Sequence, residues 1–510
     1  MRFESIKKRS FALMLAAAMT VSVVGCAGAD SSSVTDSSAE TTASVESETE
    51  TESTTESEPE PTDNTPLNVP ELEMPDTTTV KAEYEAAAAE RDELFTKLSA
   101  EKDNPIVYIT TAEGDKIKSK DEYTAAVVDV FNCDEQYRLS AAGGVKIRGN
   151  SSADQGNIKP YRIKFEEKQN MLGLHGGEKY RSWVLLRSYW NLVPDYMALS
   201  LAREIFMGEY YSSDFTYVNV YVNGKFKDVY LLLEQNQAQR TELNTPKPDE
   251  TSPLTGYFIE MDNYPGEDHP FFTIDYSSEK IEDIKGKSRV PASAEYSIKS
   301  DIYTQGQLDH INKYMTGVWQ IVYQGIENGT PMMFDEKYNV VPAEGTYSTV
   351  QEAIEAVLDT KSAANMLILE ELVHNYDVGE GSFYFAVDFS PESSYKKLTM
   401  LAPWDFNWGY EGNGNKGWYA STWQPEVGSQ DRSNPWFVLL MKADWFQQTV
   451  KERWAEFGGA DKLKEVTAAV SKRAEEMKND LGEEPWRADS GQDIVKFVEQ
   501  RIGYLDKEWS

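Results

Sequence analysis

The chain has 510 residues, with 85 acidic and 50 basic side chains, a net charge of −35 and two cysteines. Such an acidic composition excludes nucleic acid as a partner, because neutralising phosphates requires clustered lysine and arginine. With one cysteine, Cys26, assigned to the N-terminal segment, no disulfide can form in the folded part. A large apolar core must therefore stabilise it.

The first 25 residues are predicted to be a signal peptide. A basic start is followed by an apolar run at 11–25, shorter than the roughly 20 residues that a transmembrane helix needs. The run ends in VVGC at 23–26, which resembles a bacterial lipoprotein signal. We therefore predict lipidation of Cys26 and an extracytoplasmic, lipid-anchored protein at the cell membrane. A chance cysteine after an export signal is the alternative.

Residues 26–78 are predicted to be a disordered linker. Positions 27–78 hold 14 acidic residues and no Lys or Arg, among Ser, Thr and Pro. Such a segment cannot bury enough apolar surface to offset its ordering entropy, and its like charges repel. Residues 79–103 are rich in Ala and Glu, which predicts a helical lead-in to the fold. A free stalk is the alternative for this segment.

Residues 104–510 are predicted to form one domain of the α+β class, strand-rich at 104–240 and mainly helical at 255–510. Strands are predicted at 105–110, 124–131, 145–148, 159–165, 183–186, 215–222, 226–233 and 256–261. Asn223-Gly224 suits the type I′ turn of a hairpin. In KPYRIKF (159–165), apolar side chains alternate with Arg162 and Lys164, which predicts a half-buried strand with cations on its outer face.

Helices are predicted at 195–206, 308–323, 350–357, 363–374, 443–457, 461–481 and 492–508 from their apolar spacing. The segment at 371–410 reads as a helix end, an acidic loop, an alternating strand, a second loop and a second strand. Asp377 and Asp405 each lie at the edge of an apolar run within it. Folds accept a partly desolvated carboxylate mainly for metal binding or catalysis.

Five motifs taken in order resemble the spore coat protein H (CotH) family. They are KIRGNSS (146–152), KPYRIKF (159–165), VYLLLEQ (229–235), the Asp377 loop and PWDFNWG (403–409). The resemblance extends from about Pro105 to the C-terminus. It implies an atypical protein-kinase-like fold with two lobes, a β-rich N-terminal one and a mainly helical C-terminal one.

The same resemblance implies binding of ATP with Mg²⁺ or Mn²⁺. The residues that would contact or position the nucleotide are Arg148, Gly149, Asn150, Ser151, Ser152, Lys159, Lys164, Glu204 and Glu234. Lys164 would pair with the phosphates, with Lys159 as its substitute, and Glu204 would position that lysine. Glu234 would lie beside adenine. Taken alone, Gly149 is typical of an ordinary turn and Lys164 of a solvated cation.

The resemblance further implies that Asp377 accepts the proton of the acceptor hydroxyl and that Asp405 binds the metal. Two positions depart from the family pattern. Ser382 occupies the slot of a metal-binding Asn, and Asn407 stands where relatives often have a second Asp. Either change removes a good metal ligand.

The favoured hypothesis is thus a kinase that phosphorylates Ser or Thr of surface or exported proteins. A nucleotide-binding pseudokinase, or a surface scaffold or adhesion module, is the alternative. A carbohydrate-associated protein is a third reading, because aromatic residues cluster after Asp405 and two aspartates could serve a glycosidase. The aromatic cluster comprises Trp404, Trp408, Trp418, Tyr419, Trp423 and Trp436.

Overall fold

The structure is a computed structural model. It describes residues 63–67, 73–149, 153, 158–187, 193–262, 264–265, 269–410, 412, 414–425, 432–477, 480 and 486–510. The predicted signal peptide, the Cys26 lipidation site and most of the linker lie outside these residues. So do Asn150, Ser151 and Ser152 of the predicted phosphate-binding turn.

The described helices precede, separate and follow groups of strands. They are α1 (Thr78–Ala86), α2 (Ala88–Glu101), α3 (Val193–Phe206), α4 (Gln305–Asn328), α5 (Val350–Val357), α6 (Thr360–Val373), α7 (Pro435–Leu440), α8 (Asp444–Glu456), α9 (Gly459–Glu476) and α10 (Trp486–Trp509). Among the described residues, none of the helices is long and apolar enough to cross a membrane.

The strands fall into two main sheets and two short hairpins. They are β1 (Ile106–Thr111), β2 (Thr124–Phe131), β3 (Leu139–Ile147), β4 (Tyr161–Gln169), β5 (Tyr180–Leu186), β6 (Phe215–Val222), β7 (Lys225–Glu234), β8 (Gly256–Met261), β9 (Phe271–Ile274), β10 (Ile281–Glu282), β11 (Ser288–Arg289), β12 (Ala294–Ile298), β13 (Met332–Phe334), β14 (Val340–Pro342), β15 (Phe383–Asp388) and β16 (Thr399–Leu401). The mixture confirms the predicted α+β class.

The first seven strands form a closed barrel in the order β1-β2-β3-β4-β5-β7-β6. All neighbours are antiparallel except β1 and β6, whose parallel pairing, Ile106 opposite Asn219, closes the barrel. Alternate side chains of each strand fill the interior, and Val145, Ile163 and Trp183 are fully buried there. Closure was not predicted, and the barrel does not by itself establish a two-lobed kinase arrangement.

Strand β4 shows the alternation that the sequence predicts. Tyr161, Ile163 and Phe165 are buried inside the barrel, while Arg162 and Lys164 are half-buried on its outer face. The hairpin of β6 and β7 turns at Asn223-Gly224, with Val222 paired to Lys225, as predicted. Asn223 and Gly224 both have positive φ, 46° and 77°, the combination that a type I′ turn requires.

A five-stranded sheet in the order β16-β15-β8-β12-β9 follows the barrel. Strand β15 was expected to alternate between buried and exposed positions, and this is wrong, because every residue from Phe383 to Asp388 is buried. The strand pairs with β8 on one side and β16 on the other. Helix packing covers the sheet, and strands buried on both faces are apolar throughout. The main hydrophobic core lies between this sheet and the helices that follow it.

The N-terminal helices pack on the barrel and do not form a free stalk. Tyr84 of α1 shares a hydrogen bond with Ser140 of β3 at 2.8 Å. Phe95 of α2 stacks on Phe131 of β2, with ring centroids 4.1 Å apart. Part of the predicted linker is also ordered, since the carbonyl of Thr65 accepts the amide of Gln305 at 2.9 Å.

A buried carboxylate joins the barrel to the C-terminal helices. Asp480, 1 % exposed, accepts the backbone amides of Asp103 at 3.0 Å and Asn104 at 2.8 Å. It also accepts the side-chain amide of Asn219 in β6 at 3.0 Å. One side chain thereby satisfies donors from the start of β1 and from β6, beside the parallel pair that closes the barrel.

Candidate active site

The site forms around Asp405, in the loop that follows β16. Asp405 adopts a left-handed backbone conformation with φ of 61°, as do Ala402 and Ser382 with φ of 55° each. Such conformations are unfavourable for residues other than glycine and persist where the surroundings enforce them, often at functional sites. The Ser382 hydroxyl donates a hydrogen bond to the Asp405 carboxylate, and the Asn407 amide contacts the same carboxylate.

A second carboxylate, which sequence reasoning missed, lies beside Asp405. Asp195 in the first turn of α3 is 8 % exposed, and its Oδ1 accepts the backbone amide of Phe406 at 2.8 Å. Burial raises the pKa of Asp195 to about 7, and the adjacent Asp405 carboxylate adds to the rise. Burial likewise raises the pKa of Asp405. A buried carboxylate next to a half-buried one favours a bound cation or a shared proton.

The barrel contributes a cation to this acid pair. Arg148 directly follows β3, and its guanidinium lies 5.4 Å from the ring centroid of Trp404. The Arg148 charge lowers the pKa values of both Asp195 and Asp405, opposing the effect of burial. Arg148 was predicted as one of the nucleotide-contacting residues, and it lies opposite the predicted metal ligand.

Three more cations occupy the same outer face of the barrel as Arg148. Lys146 pairs across the ladder with Arg162, and Gly144 pairs with Lys164. At roughly 3.3 Å per residue, Lys146 lies about 7 Å along β3 from Arg148, and the position opposite Lys164 lies about 13 Å away. Lys164 is therefore at the far end of a cationic row, and Arg148 is at the end that reaches Asp405.

The loop between α6 and β15 carries Asp377. Helix α6 ends where His374 turns left-handed, with φ of 49°. The carbonyl of Asp377 then accepts the amides of Glu380 and Gly381, both at 3.0 Å. Burial raises the pKa of Glu370 to about 8, and the charge of Asp377 contributes to that rise. The Asp377 side chain itself is half-buried.

The turn after Asp377 is held by the segment before α7. A Cβ on Gly379 would lie 2.5 Å from the carbonyl oxygen of Ser433, so only glycine fits there. The Asn434 side chain donates to the carbonyl of Val378 at 3.0 Å. The same loop delivers Ser382 to Asp405, and it thereby connects the two acidic segments that the sequence singled out.

The donor set suits a hard divalent cation bound together with a ligand. Among the described residues, no three His, Cys, Asp or Glu side chains are arranged around one metal position. Asp195 and Asp405 supply two carboxylates, and the Ser382 hydroxyl supplies a neutral oxygen. Mg²⁺ is commonly held by one or two carboxylates while waters and substrate phosphates complete its octahedron. The residues present fit that pattern.

The CotH kinase protein family matches residues 145–506. The chain belongs to the CotH kinase family. No curated protein matches the sequence. The CotH match includes Arg148, Asp195, Asp377 and Asp405, and it confirms the predicted family. It begins at Val145, whereas the resemblance was expected from about Pro105.

Membership in the CotH family supports a kinase-like function at the level of the family, with nucleotide and divalent-metal use as its general property.

Within this CotH protein, some residues predicted for the site lie away from Asp405. Glu204 forms an ion pair with Lys462 of α9 at 3.1 Å, where the resemblance implied pairing with Lys164. Its position on the outer face of α3 directs it to α9, while Asp195 at the start of that helix faces the site.

Glu234, at the end of β7, is fully buried. Its carboxylate accepts the Tyr211 hydroxyl and the Asp214 amide, each at 3.2 Å, and lies 3.5 Å from Nδ1 of His175. Burial raises the pKa of Glu234. This environment gives the Glu234 side chain a structural role, and any contact with adenine in this CotH protein would have to come from the backbone.

Two of the remaining predicted residues, Lys159 and Gly149, belong to the part of the chain that the structure describes. Lys159 donates to the carbonyl of Ala153 at 2.5 Å. Gly149 has φ of 86°, which glycine adopts readily.

The aromatic cluster does not form an exposed sugar-binding platform in this CotH protein. Four of its members are buried, and Trp418 packs against Trp509 of α10 at 5.6 Å between centroids. The four buried residues are Trp404, Tyr419, Trp423 and Trp436.

Proposed function

We propose that this CotH protein is an atypical kinase, lipid-anchored through Cys26 on the extracytoplasmic side of the membrane. It transfers the γ-phosphate of ATP to Ser or Thr of surface or exported proteins. The observation that carries the proposal is the meeting of Asp405 and Asp195 with Arg148. Phosphoryl transfer depends on positioning and on neutralising phosphate charge, and this arrangement provides both signs of charge.

Asp405 and Asp195 would hold Mg²⁺ or Mn²⁺ in this proposal, with the Ser382 hydroxyl as a neutral ligand. When bound, the metal ion neutralises phosphate charge and orients the γ-phosphate. Fixing the buried Asp195 carboxylate beside the half-buried Asp405 carboxylate costs free energy in the absence of a cation. That cost is understandable if the pair binds a metal.

The cationic row on the barrel receives the phosphates. Arg148 is nearest to the metal ligands, followed by Lys146 and Arg162, with Lys164 at the far end. A polyanion along this face would meet these cations, and a triphosphate fits in charge. Barrel and helical part would then act as the two lobes of a kinase.

Asp377 orients the acceptor hydroxyl and takes its proton. The hydroxyl oxygen bonds to the γ-phosphorus, the bond to the bridging oxygen breaks, and ADP leaves. The proton passes to the Asp377 carboxylate and then to solvent. Its loop is braced by Ser433 and Asn434, so the carboxylate stays in position.

The test is nucleotide binding and phosphate transfer by the purified chain in detergent. Mg²⁺ with ATP should raise the melting temperature of wild type and should fail to do so for Asp405→Asn. Asp377→Asn should bind nucleotide and lose transfer to protein. Asp461→Asn is the matched control, because its side chain is 96 % exposed on α9. Absence of any nucleotide effect on wild type would refute the proposal.

A nucleotide-binding pseudokinase is the second candidate. Ser382 stands in place of the metal-binding Asn of kinases, and the amide of Asn407 contacts Asp405. Both features weaken a second metal position. Binding of ATP without transfer to any acceptor, and no difference between wild type and Asp377→Asn, would favour this reading or a scaffold role.

A further inference from the structure

The candidate site lies beside a surface whose charge is opposite to that of the protein. We call it the basic strip. It consists of Lys285, Lys287, Arg289, Lys416 and Arg432. The first three belong to the hairpin of β10 and β11, and the other two flank the segment at 417–425. Among the described residues of these segments, Glu282 of β10 is the exposed acid beside these cations. In a chain of net charge −35, such a group of cations is unusual.

The cations of the hairpin contact neutral carbonyl groups. Lys285 donates to the carbonyl of Trp418 at 3.4 Å and Lys287 to that of Trp423 at 3.0 Å. Arg289 donates to the carbonyl of Gln424 at 3.3 Å. Within the described chain, neither lysine is ion-paired with a carboxylate. Each ammonium has three donors, so the positive charge remains available to an anion.

Asp283, a buried acid in the turn of this hairpin, forms no ion pair with Lys285 or Lys287. Asp283 uses Oδ1 to accept the backbone amides of Lys285 and Lys287, both at 2.9 Å. Its Oδ2 accepts the amide of Trp423 at 3.0 Å. Asp283 therefore fixes the hairpin to the segment at 417–425.

The basic strip is connected to the loop that carries Asp377. Glu371 lies buried in the last turn of α6. Its carboxylate accepts the backbone amides of Tyr419 at 2.9 Å and Ser421 at 3.0 Å. Arg432 lies 3.7 Å above the ring of Tyr376, the residue before Asp377. Its guanidinium also donates to the Tyr419 hydroxyl at 2.8 Å. The strip is thus fixed relative to the proposed catalytic aspartate.

We propose that the basic strip binds acidic residues flanking the acceptor Ser or Thr of a protein substrate. This rests on the proposed function and narrows the substrate class to acidic segments. Charge complementarity is the argument. The strip adjoins the loop where the acceptor hydroxyl would lie, and a peptide leaving that point would pass over exposed lysines. The rest of the acidic surface would repel the same peptide.

The expected effects are moderate and depend on salt. One exposed ion pair changes affinity by about 1.5- to 5-fold, so reversing two lysines should weaken binding of an acidic peptide by roughly 10-fold. Screening at high ionic strength should remove most of that difference. The effect should appear in KM, because the strip holds the peptide and does not contact the reacting atoms.

The experiment compares two peptides of equal length, each with one central Ser, flanked by Glu in one and by Gln in the other. Wild type should phosphorylate the Glu peptide with the lower KM. Lys285→Glu/Lys287→Glu should lose this preference while keeping activity on the Gln peptide. Lys285→Gln/Lys287→Gln should lose part of the preference for the Glu peptide. A graded loss from the neutral to the acidic variant indicates an effect of charge and not of misfolding. The control is Lys464→Glu/Lys472→Glu on α9, whose side chains are 59 % and 81 % exposed.

Fluorescence anisotropy of the labelled Glu peptide without ATP separates this proposal from the kinase proposal. Weaker binding by the Lys285→Glu/Lys287→Glu variant than by the control supports the basic strip, even if neither peptide is phosphorylated. Equal binding by the variant, the control and wild type overturns it. Equal KM for both peptides in wild type also overturns it and leaves the kinase proposal intact.

Discussion

Replacing Asp195 with Asn should stabilise the metal-free protein while abolishing phosphate transfer. The pKa of Asp195 is about 7 against an ordinary 3.8, a difference of roughly 3 units at about 1.4 kcal/mol each. The charged form therefore costs the fold up to about 4 kcal/mol above pH 7. Asn keeps the carbonyl that accepts the Phe406 amide at 2.8 Å and carries no charge.

The direction of the pH dependence follows from the raised pKa. The folded state binds the Asp195 proton more tightly than the unfolded state, so this contribution is fully favourable below about pH 4. It is lost as pH rises towards 7. Asp195→Asn should therefore match wild type near pH 4 and exceed it by about 2–4 kcal/mol at pH 8.

The assay is urea unfolding in EDTA at both pH values, followed by a transfer assay with Mg²⁺ and ATP. Asp461→Asn should leave transfer unchanged and lower the free energy of unfolding by no more than about 1 kcal/mol at either pH, because it removes an exposed acid from the first turn of α9. The reasoning is refuted if Asp195→Asn is less stable than wild type at pH 8, or if the difference between them is the same at both pH values. A stable variant with normal transfer would remove Asp195 from the proposed metal site.

Three further outcomes are expected. Asp480→Ala leaves buried amide donors without an acceptor and should lower the free energy of unfolding by about 3 kcal/mol or more in urea. Gly379→Ala places a Cβ 2.5 Å from the Ser433 carbonyl oxygen, so transfer should fall roughly 10-fold or more, at unchanged nucleotide affinity, as the Asp377 loop shifts. Asp129→Asn concerns a carboxyl whose pKa burial raises to about 6. The free energy of unfolding of wild type should fall by up to about 3 kcal/mol relative to that of this variant as pH rises from 4 to 6.5, because the raised pKa favours the protonated form of the folded state. The same difference in free energy of unfolding at both pH values, measured by chemical denaturation, would contradict this.

Local sequence signals were sufficient to predict those elements whose conformation is decided by neighbouring residues. The Asn223-Gly224 turn specifies its own hairpin. The helix predicted at 308–323 was too short, because Thr304 accepts the Gln307 amide and caps α4 three residues earlier. The predicted helices at 350–357 and 443–457 agree with α5 and α8 to within a residue at each end. These features depend on neighbours within a few positions.

Features that depend on distant partners could not be predicted in the same way. The barrel closes through pairing of Ile106 with Asn219, and no local pattern marks such a pair. Strand β15 was misjudged because its burial results from β8 and β16 on either side. Strands β9 and β12 were missed because they are short.

The same distinction between local and distant signals applies to the residues of the candidate site. Asp377 and Asp405 were predicted because each lies at the edge of an apolar run. Asp195 was missed because an acid in the first turn of a helix is common and favourable there on electrostatic grounds alone. Only its contact with Phe406, 211 positions away in sequence, reveals its position beside Asp405. Glu204 was predicted from the same helix as Asp195, and it pairs with Lys462 of α9 on the other face of that helix.

The closed barrel has a practical consequence for anyone expressing this protein. The family match starts at Val145, so a fragment cut there would lack β1, β2 and most of β3. Strands β4 and β6 would then present unpaired backbone groups at two open edges, which are templates for aggregation. Soluble material should require the chain from before α1, even though that stretch holds none of the residues proposed for chemistry.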